Sequence, residues 1–150
     1  ICSFFCAGAI IHQTDRHYVH QLNGLGYKMP CIFGIFTISA LALMGVPGLA
    51  GFVSKWNLAQ AAVDSGNPLA WGGIACLLIS ALLTAIYMLT MVVRAFFPGK
   101  DFDYSTVAEA KDPNWKMLLP LFVFTLCIIG FGLYSQPIVN FFNDVAEGGV

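Results

Sequence analysis

The side chain with most to offer chemically is Lys55, in the run Gly45-Val46-Pro47-Gly48-Leu49-Ala50-Gly51-Phe52-Val53-Ser54-Lys55-Trp56-Asn57. From Met29 to Val63 it is the only charged residue. Placing a charge at the centre of a bilayer costs from about 2.5 kcal/mol on insertion scales to more than about 10 kcal/mol in simulations of isolated helices. A partner carboxylate, a water-filled path or loss of the proton would offset that cost. An amine taken out of water gives up its proton more readily, so a nearby charge can switch its occupancy. Just upstream, Pro47 flanked by Gly45, Gly48 and Gly51 predicts a helix break. Membranes accept irregular backbone only where it is covered by protein or lines a cavity. An ionisable group beside such a break is a candidate ion-handling site. Ser54, Ser80, Thr84 and Tyr87 are the polar neighbours that could relay a proton.

The surrounding chain is that of a membrane protein. Of its 150 residues 58% are hydrophobic and 10% charged, against about 25% charged in soluble domains. Its mean hydropathy is +0.76. The formal net charge of −1 and the lack of a basic patch give no reason to expect nucleic acid. Ile1 is not an initiator and no basic segment precedes the opening apolar run, which is therefore not a signal peptide. The expectation is a longer polypeptide cut before its first visible helix.

The fold class expected is all-α and polytopic, with four to five membrane segments including a short or broken one. Residues 1–12 read as the end of a spanning helix, 31–46 as a second, and 49–64 as a short or broken one bearing Lys55. Residues 69–97 give 29 positions with no charge before Arg94, more than the ~20 a bilayer core needs. Residues 116–136 form the last span, with Trp115 and Lys116 at one interface and Tyr134 at the other. Phe141-Phe142 opens an amphipathic or frayed tail. Residues 13–30 and 98–115 are loops, and Pro30 starts a helix, as proline does in a first turn. If 31–63 crosses twice, the preferred arrangement, the two loops face opposite sides. Arg94, Lys100, Lys111 and Lys116 then outnumber Arg16 and Lys28 and put the second loop in the cytoplasm. A single crossing would put both loops on one side.

Cys2, Cys6, Cys31, Cys76 and Cys127 lie nearly all in apolar segments and form no zinc or iron–sulfur pattern. They read as small buried hydrophobes. No glycine-rich phosphate loop occurs, so neither metal nor cofactor is expected. His12 ends a helix and stays open as a proton-path residue, while His17 and His20 read as solvated. Arg94 reads as an interfacial anchor and Asp64 as a helix-end loop residue. The bland reading of Lys55 is a lysine snorkelling to an interface.

Three motifs in order carry a resemblance: Cys6-Ala7-Gly8-Ala9-Ile10-Ile11-His12, Gly24-Leu25-Gly26-Tyr27-Lys28-Met29-Pro30, and Gly45 through Trp56. With Tyr87 and the ending Arg94-Ala95-Phe96-Phe97, the series resembles the antiporter-like subunits of respiratory complex I. It resembles equally their relatives in Mrp-type cation/proton antiporters and membrane-bound hydrogenases. The likeness covers roughly residues 5 to 97, and the remaining span also fits the family's last helices. Two departures stand out. Gly48 replaces a second proline, which would loosen the break. Ser54-Lys55-Trp56 is closer to the antiporter and hydrogenase branch than to the Ser-Lys-Asp-Glu of the distal complex I subunit.

The resemblance implies the C-terminal part of a fourteen-helix fold built from inverted five-helix repeats, in a multi-pass protein of the cell (inner) membrane. It implies that Lys55 is the lysine near the second broken helix, in a chain of titratable groups whose other members lie upstream. The function expected is proton translocation, with sodium as the alternative ion, in a multisubunit redox-driven or antiport complex. The subunit would do no catalysis alone, and its partners would be other membrane subunits and the lipid bilayer. Two other classes stay open: a structural membrane subunit with a silent lysine, and a secondary transporter binding an organic solute at the broken helix.

Overall fold

The computed structural model describes residues 1–99 and 110–148, and among these the regular structure is helical throughout. The order is α1 (Cys2–Thr14), a 3-10 turn (Val19–Leu22), α2 (Leu25–Lys28), α3 (Pro30–Met44), α4 (Ala50–Asp64), α5 (Pro68–Phe96), α6 (Trp115–Leu133) and α7 (Gln136–Glu147). Helices α5 and α6 are long and apolar enough to cross a membrane, and α3 is a shorter apolar helix. The 13–30 loop thus contains a 3-10 turn and a one-turn helix. Phe141 and Phe142 sit inside a regular helix rather than a frayed tail. Lys100 lies outside the described residues.

The tightest packing is at one end of the bundle. There Cys6, Leu25, Met29, Ile32 and Phe33 are fully buried. Gly26 lies so close to the end of α5 that an added Cβ would stand 2.9 Å from the Ala95 carbonyl oxygen. The Gly24 amide donates to the Arg94 carbonyl oxygen at 3.3 Å. These contacts tie the start of α3 to the end of α5. In the stretch leading into α6, Asp112 accepts hydrogen bonds from the Cys31 and Ile32 amides. Both loops are therefore at the same end.

That placement corrects the preference for two crossings. Helices α3 and α4 have 15 residues each and α5 has 29, so two short helices of about 22 Å laid end to end match one of about 43 Å at 1.5 Å per residue. Helix α5 starts where α4 ends, after Ser65, Gly66 and Asn67, and returns to the starting end. Asn67 marks that reversal, its side chain accepting from the Leu69 amide at 3.0 Å. Helices α3 and α4 run in the same direction against α5, as two halves of one discontinuous helix. Arg16, Lys28, Arg94, Lys111 and Lys116 then share one end, while Asp64 closes α4 at the other.

Small residues set the depth of the break. Gly51 meets α3 backbone to backbone: a Cβ there would collide with the Ala42 carbonyl oxygen. Gly132 of α6 likewise leaves no room for a Cβ against the Gly48 carbonyl oxygen and Leu49. Membrane helices use such residues for close backbone approach. Gly51→Ala and Gly132→Ala are each expected to destabilise by about 1–3 kcal/mol, the usual range for overpacking. Gly34→Ala, where a Cβ meets nothing within 4 Å, should be near neutral. Thermal unfolding of the full-length subunit in detergent checks the ranking.

Candidate functional site

Lys55 lies where α3 ends. The last four carbonyls of any helix have no partner within it. Gly45, at φ 93° and ψ 41°, takes the left-handed conformation that glycine adopts most easily. This turns the chain so that the Val46 amide donates to the Leu41 carbonyl oxygen at 3.1 Å, and the Gly45 amide donates to that of Ala42 at 3.1 Å. This is the glycine-ended Schellman turn. The carbonyls of Leu43 and Met44 remain. The Lys55 Nζ donates to both, at 2.8 and 2.9 Å.

The break that creates this seat follows from residue type. Pro47 has no amide hydrogen and cannot continue the helix. The Leu49 amide donates to the Val46 carbonyl oxygen at 3.3 Å, and Gly48 between them has φ 91°. Proline then a positive-φ glycine is the pattern of a type II turn. A second proline could not take Gly48's conformation, since its ring holds φ near −65°. Gly48 therefore supports a turn that proline at this position could not make. Gly51 and Lys55 are four residues apart and share a face of α4. The missing Cβ at Gly51 lets that face close on α3, and the lysine stem packs over Gly45, where an added Cβ would stand 3.0 Å from the lysine Cδ.

Among the described residues no carboxylate lines the space around the Lys55 amine, whose hydrogen-bond partners are the two main-chain carbonyls. The C-terminal pole of a helix carries about half a negative charge. Hydrogen bonds involving a charged group contribute about 1.5–3 kcal/mol each, so two of them match the insertion cost in order of magnitude.

A cavity of about 450 Å³ opens beside the ammonium, with Ser3, Ser39, Ser54 and Cys2 among its lining residues. A hollow of about 470 Å³ adjoins it through Ala50 and Ser54 and adds Asn57 and Ser135. A third, about 390 Å³, shares Asn57 and Ser135 and adds Gln60 and Gln136. Polar side chains thus accompany α4 from the lysine towards its C-terminal end. Such volumes with several polar partners can hold water.

The structure sets Gly45 against the Lys55 stem and places Gly51 and Ser54 in the lining of its cavity. Thr84 returns its hydroxyl hydrogen to the Ser80 carbonyl oxygen at 2.8 Å. Tyr87 is exposed on α5. Neither lines the lysine cavity. His12 is exposed in the last turn of α1, ten residues, or about 15 Å, beyond Cys2 at the cavity wall. Sequence reasoning missed Ser39 and Ser3. The signal for Ser39 was its spacing: a hydroxyl four residues before Leu43, one helical turn from the bare carbonyl.

Residues 1–86 match the family described as NADH:quinone oxidoreductase/Mrp antiporter, transmembrane. The chain is 30% identical over 146 residues to NADH-quinone oxidoreductase subunit N of Desulforudis audaxviator, covering 91% of this chain and 28% of that one. It is 34% identical over 118 residues to NADH-quinone oxidoreductase subunit L of Rickettsia typhi, covering 79% and 18%. It is 29% identical over 147 residues to NAD(P)H-quinone oxidoreductase chain 4 of a Synechococcus strain, covering 96% and 27%. The matches thus span between 18% and 28% of the length of these relatives. The discontinuous helix, the apolar spans and these matches agree: the chain is an integral membrane protein and belongs to the NADH:quinone oxidoreductase/Mrp antiporter transmembrane family.

Proposed function

We propose that this chain is the proton-carrying C-terminal part of an antiporter-like subunit, and that Lys55 is the group that takes up and releases the proton. The observation that carries this reading is the seat of the amine. A protonated lysine has three N–H donors, and two are engaged by Leu43 and Met44. A neutral amine keeps two. The seat therefore serves both protonation states, and the third hydrogen is the transferable one. The cavity lined by Ser39 and Ser54 gives it an outlet. Water in the hollows past Asn57 and Ser135 would carry the proton along α4.

The complex is a multisubunit one, as the names of the relatives describe for those proteins. Other membrane subunits and lipid would then cover the exposed apolar face of α5, which includes Leu78, Leu82 and Ile86. The proton is the preferred ion. Sodium would need oxygen ligands beyond the two carbonyls that the amine already holds. The end bearing Arg16, Lys28, Arg94, Lys111 and Lys116 would face the cytoplasm, by the excess of lysine and arginine on that side.

Lys55→Met in the full-length subunit is expected to abolish pumping in membrane vesicles, at least tenfold, with assembly intact on a native gel. Normal pumping by the assembled variant would overturn the reading. Gly45→Ala forces an L-residue into left-handed backbone at about 1–2 kcal/mol and crowds the lysine stem. It should reduce pumping several-fold, and Gly45→Asn, which tolerates that backbone better, should retain more of the activity.

A further inference from the structure

We infer that Asp112 is a positioning residue for Lys55, acting through helix α3 as a counter-charge at its opposite pole. This rests on the reading of Lys55 as the proton carrier and adds a second group to it. The start of α3 lacks a local cap: Met29, in the N-cap position, supplies no side-chain bond, and Pro30 has no amide hydrogen. The carboxylate of Asp112, some 80 residues further on, takes the place of that cap. Its Oδ2 accepts from the Cys31 amide and its Oδ1 from the Ile32 amide, each at 3.4 Å. At the other end the Lys55 ammonium holds the carbonyls of Leu43 and Met44.

Helix α3 therefore carries an anion at its positive pole and a cation at its negative pole, about 22 Å apart. Each is favoured by the macrodipole, and each favours the charged state of the other. Asp112 also joins α3 to the start of α6, since Pro113 and Leu118 beside it are buried. A shift of that segment would move α3 along its axis, and with it the two carbonyls that seat the lysine.

The groups around each charge define what a titration would report. Around Lys55, α3 presents its carbonyls and Ser39, α1 presents Cys2 and Ser3, and α6 presents Phe124 and Ile128. Among the described residues no carboxylate lines that cavity. The Cys31 thiol lies beside Asp112, and Lys28, Arg94 and Lys111 belong to the same end of the bundle. The carboxylate thus shares its end of the bundle with cations, while the lysine amine is lined by main-chain and side-chain dipoles.

The test uses the full-length subunit in its native complex, as Asp112→Asn, Asp112→Ser, Asp112→Glu and Lys55→Met. Assembly is followed on native gels and proton pumping in vesicles as a function of pH. Losing the carboxylate's charge makes Lys55 release its proton at lower pH. The alkaline limb of the profile in Asp112→Asn is therefore expected to move down by about half a pH unit, from the interaction of unit charges at this distance and an effective dielectric constant near 20. Asp112→Ser should shift it likewise and Asp112→Glu should restore it. An unshifted profile in the assembled neutral variants, with Lys55→Met silent, overturns the role of Asp112 and leaves that of Lys55 intact. Pumping by Lys55→Met overturns both. If neither neutral variant assembles while Asp112→Glu does, the residue is a folding cap and the inference falls.

Discussion

Four carbonyl groups at the end of a helix, in a place with no bulk water to receive them, constrain the whole molecule. In hydrocarbon each unmet backbone group costs several kcal/mol, so a membrane helix cannot simply stop. Helix α3 stops because its four terminal acceptors are divided between two solutions. The left-handed turn at Gly45 satisfies Leu41 and Ala42, and the ammonium of Lys55 satisfies Leu43 and Met44. The charge that would be a liability in the membrane answers the liability of the broken helix. Each defect is the remedy for the other, which explains why the break and the lysine are only a few residues apart.

The remaining architecture can be read as what this exchange requires. Helix α4 must leave the break close enough to α3 for the lysine to fold back, and Gly51 permits this by having no side chain to hold the two backbones apart. Helix α6 must cover the turn, and Gly132 lets it approach Gly48 and Leu49. Helix α3 must not slide, and its first turn is held by Asp112. The fully buried residues gather around that held end, whereas the lysine end is looser and opens into hollows. One helix thus has a tightly packed start and an end that borders open space.

Much of the fold was legible in the residues because hydropathy and proline–glycine chemistry act locally. Apolar runs marked the spanning helices, Pro30 and Pro47 marked a start and a break, and Lys55 stood out as a charge without polar surroundings. The number of crossings was not legible. It depends on whether α4 continues or reverses the direction of α3, and a connection of five residues allows either. What decides it is the contact of Gly26 with Ala95 and of Asp112 with Cys31 and Ile32, between segments far apart in the chain.

By itself the sequence determined that this is a helical membrane protein with an interrupted span and a lone lysine beside the interruption. These properties follow from side-chain type and local backbone preference. Only the tertiary structure decided what the lysine binds, which of the polar residues reach it, and what stands at the far end of its helix. Ser39 and Ser3 line the lysine cavity and Thr84, Tyr87 and His12 do not, because the lining depends on which faces of separate helices meet. Main-chain carbonyls carry no signature in a sequence, since every residue has one. Only the path of the backbone shows which are left bare, and here the bare pair is what gives Lys55 its place.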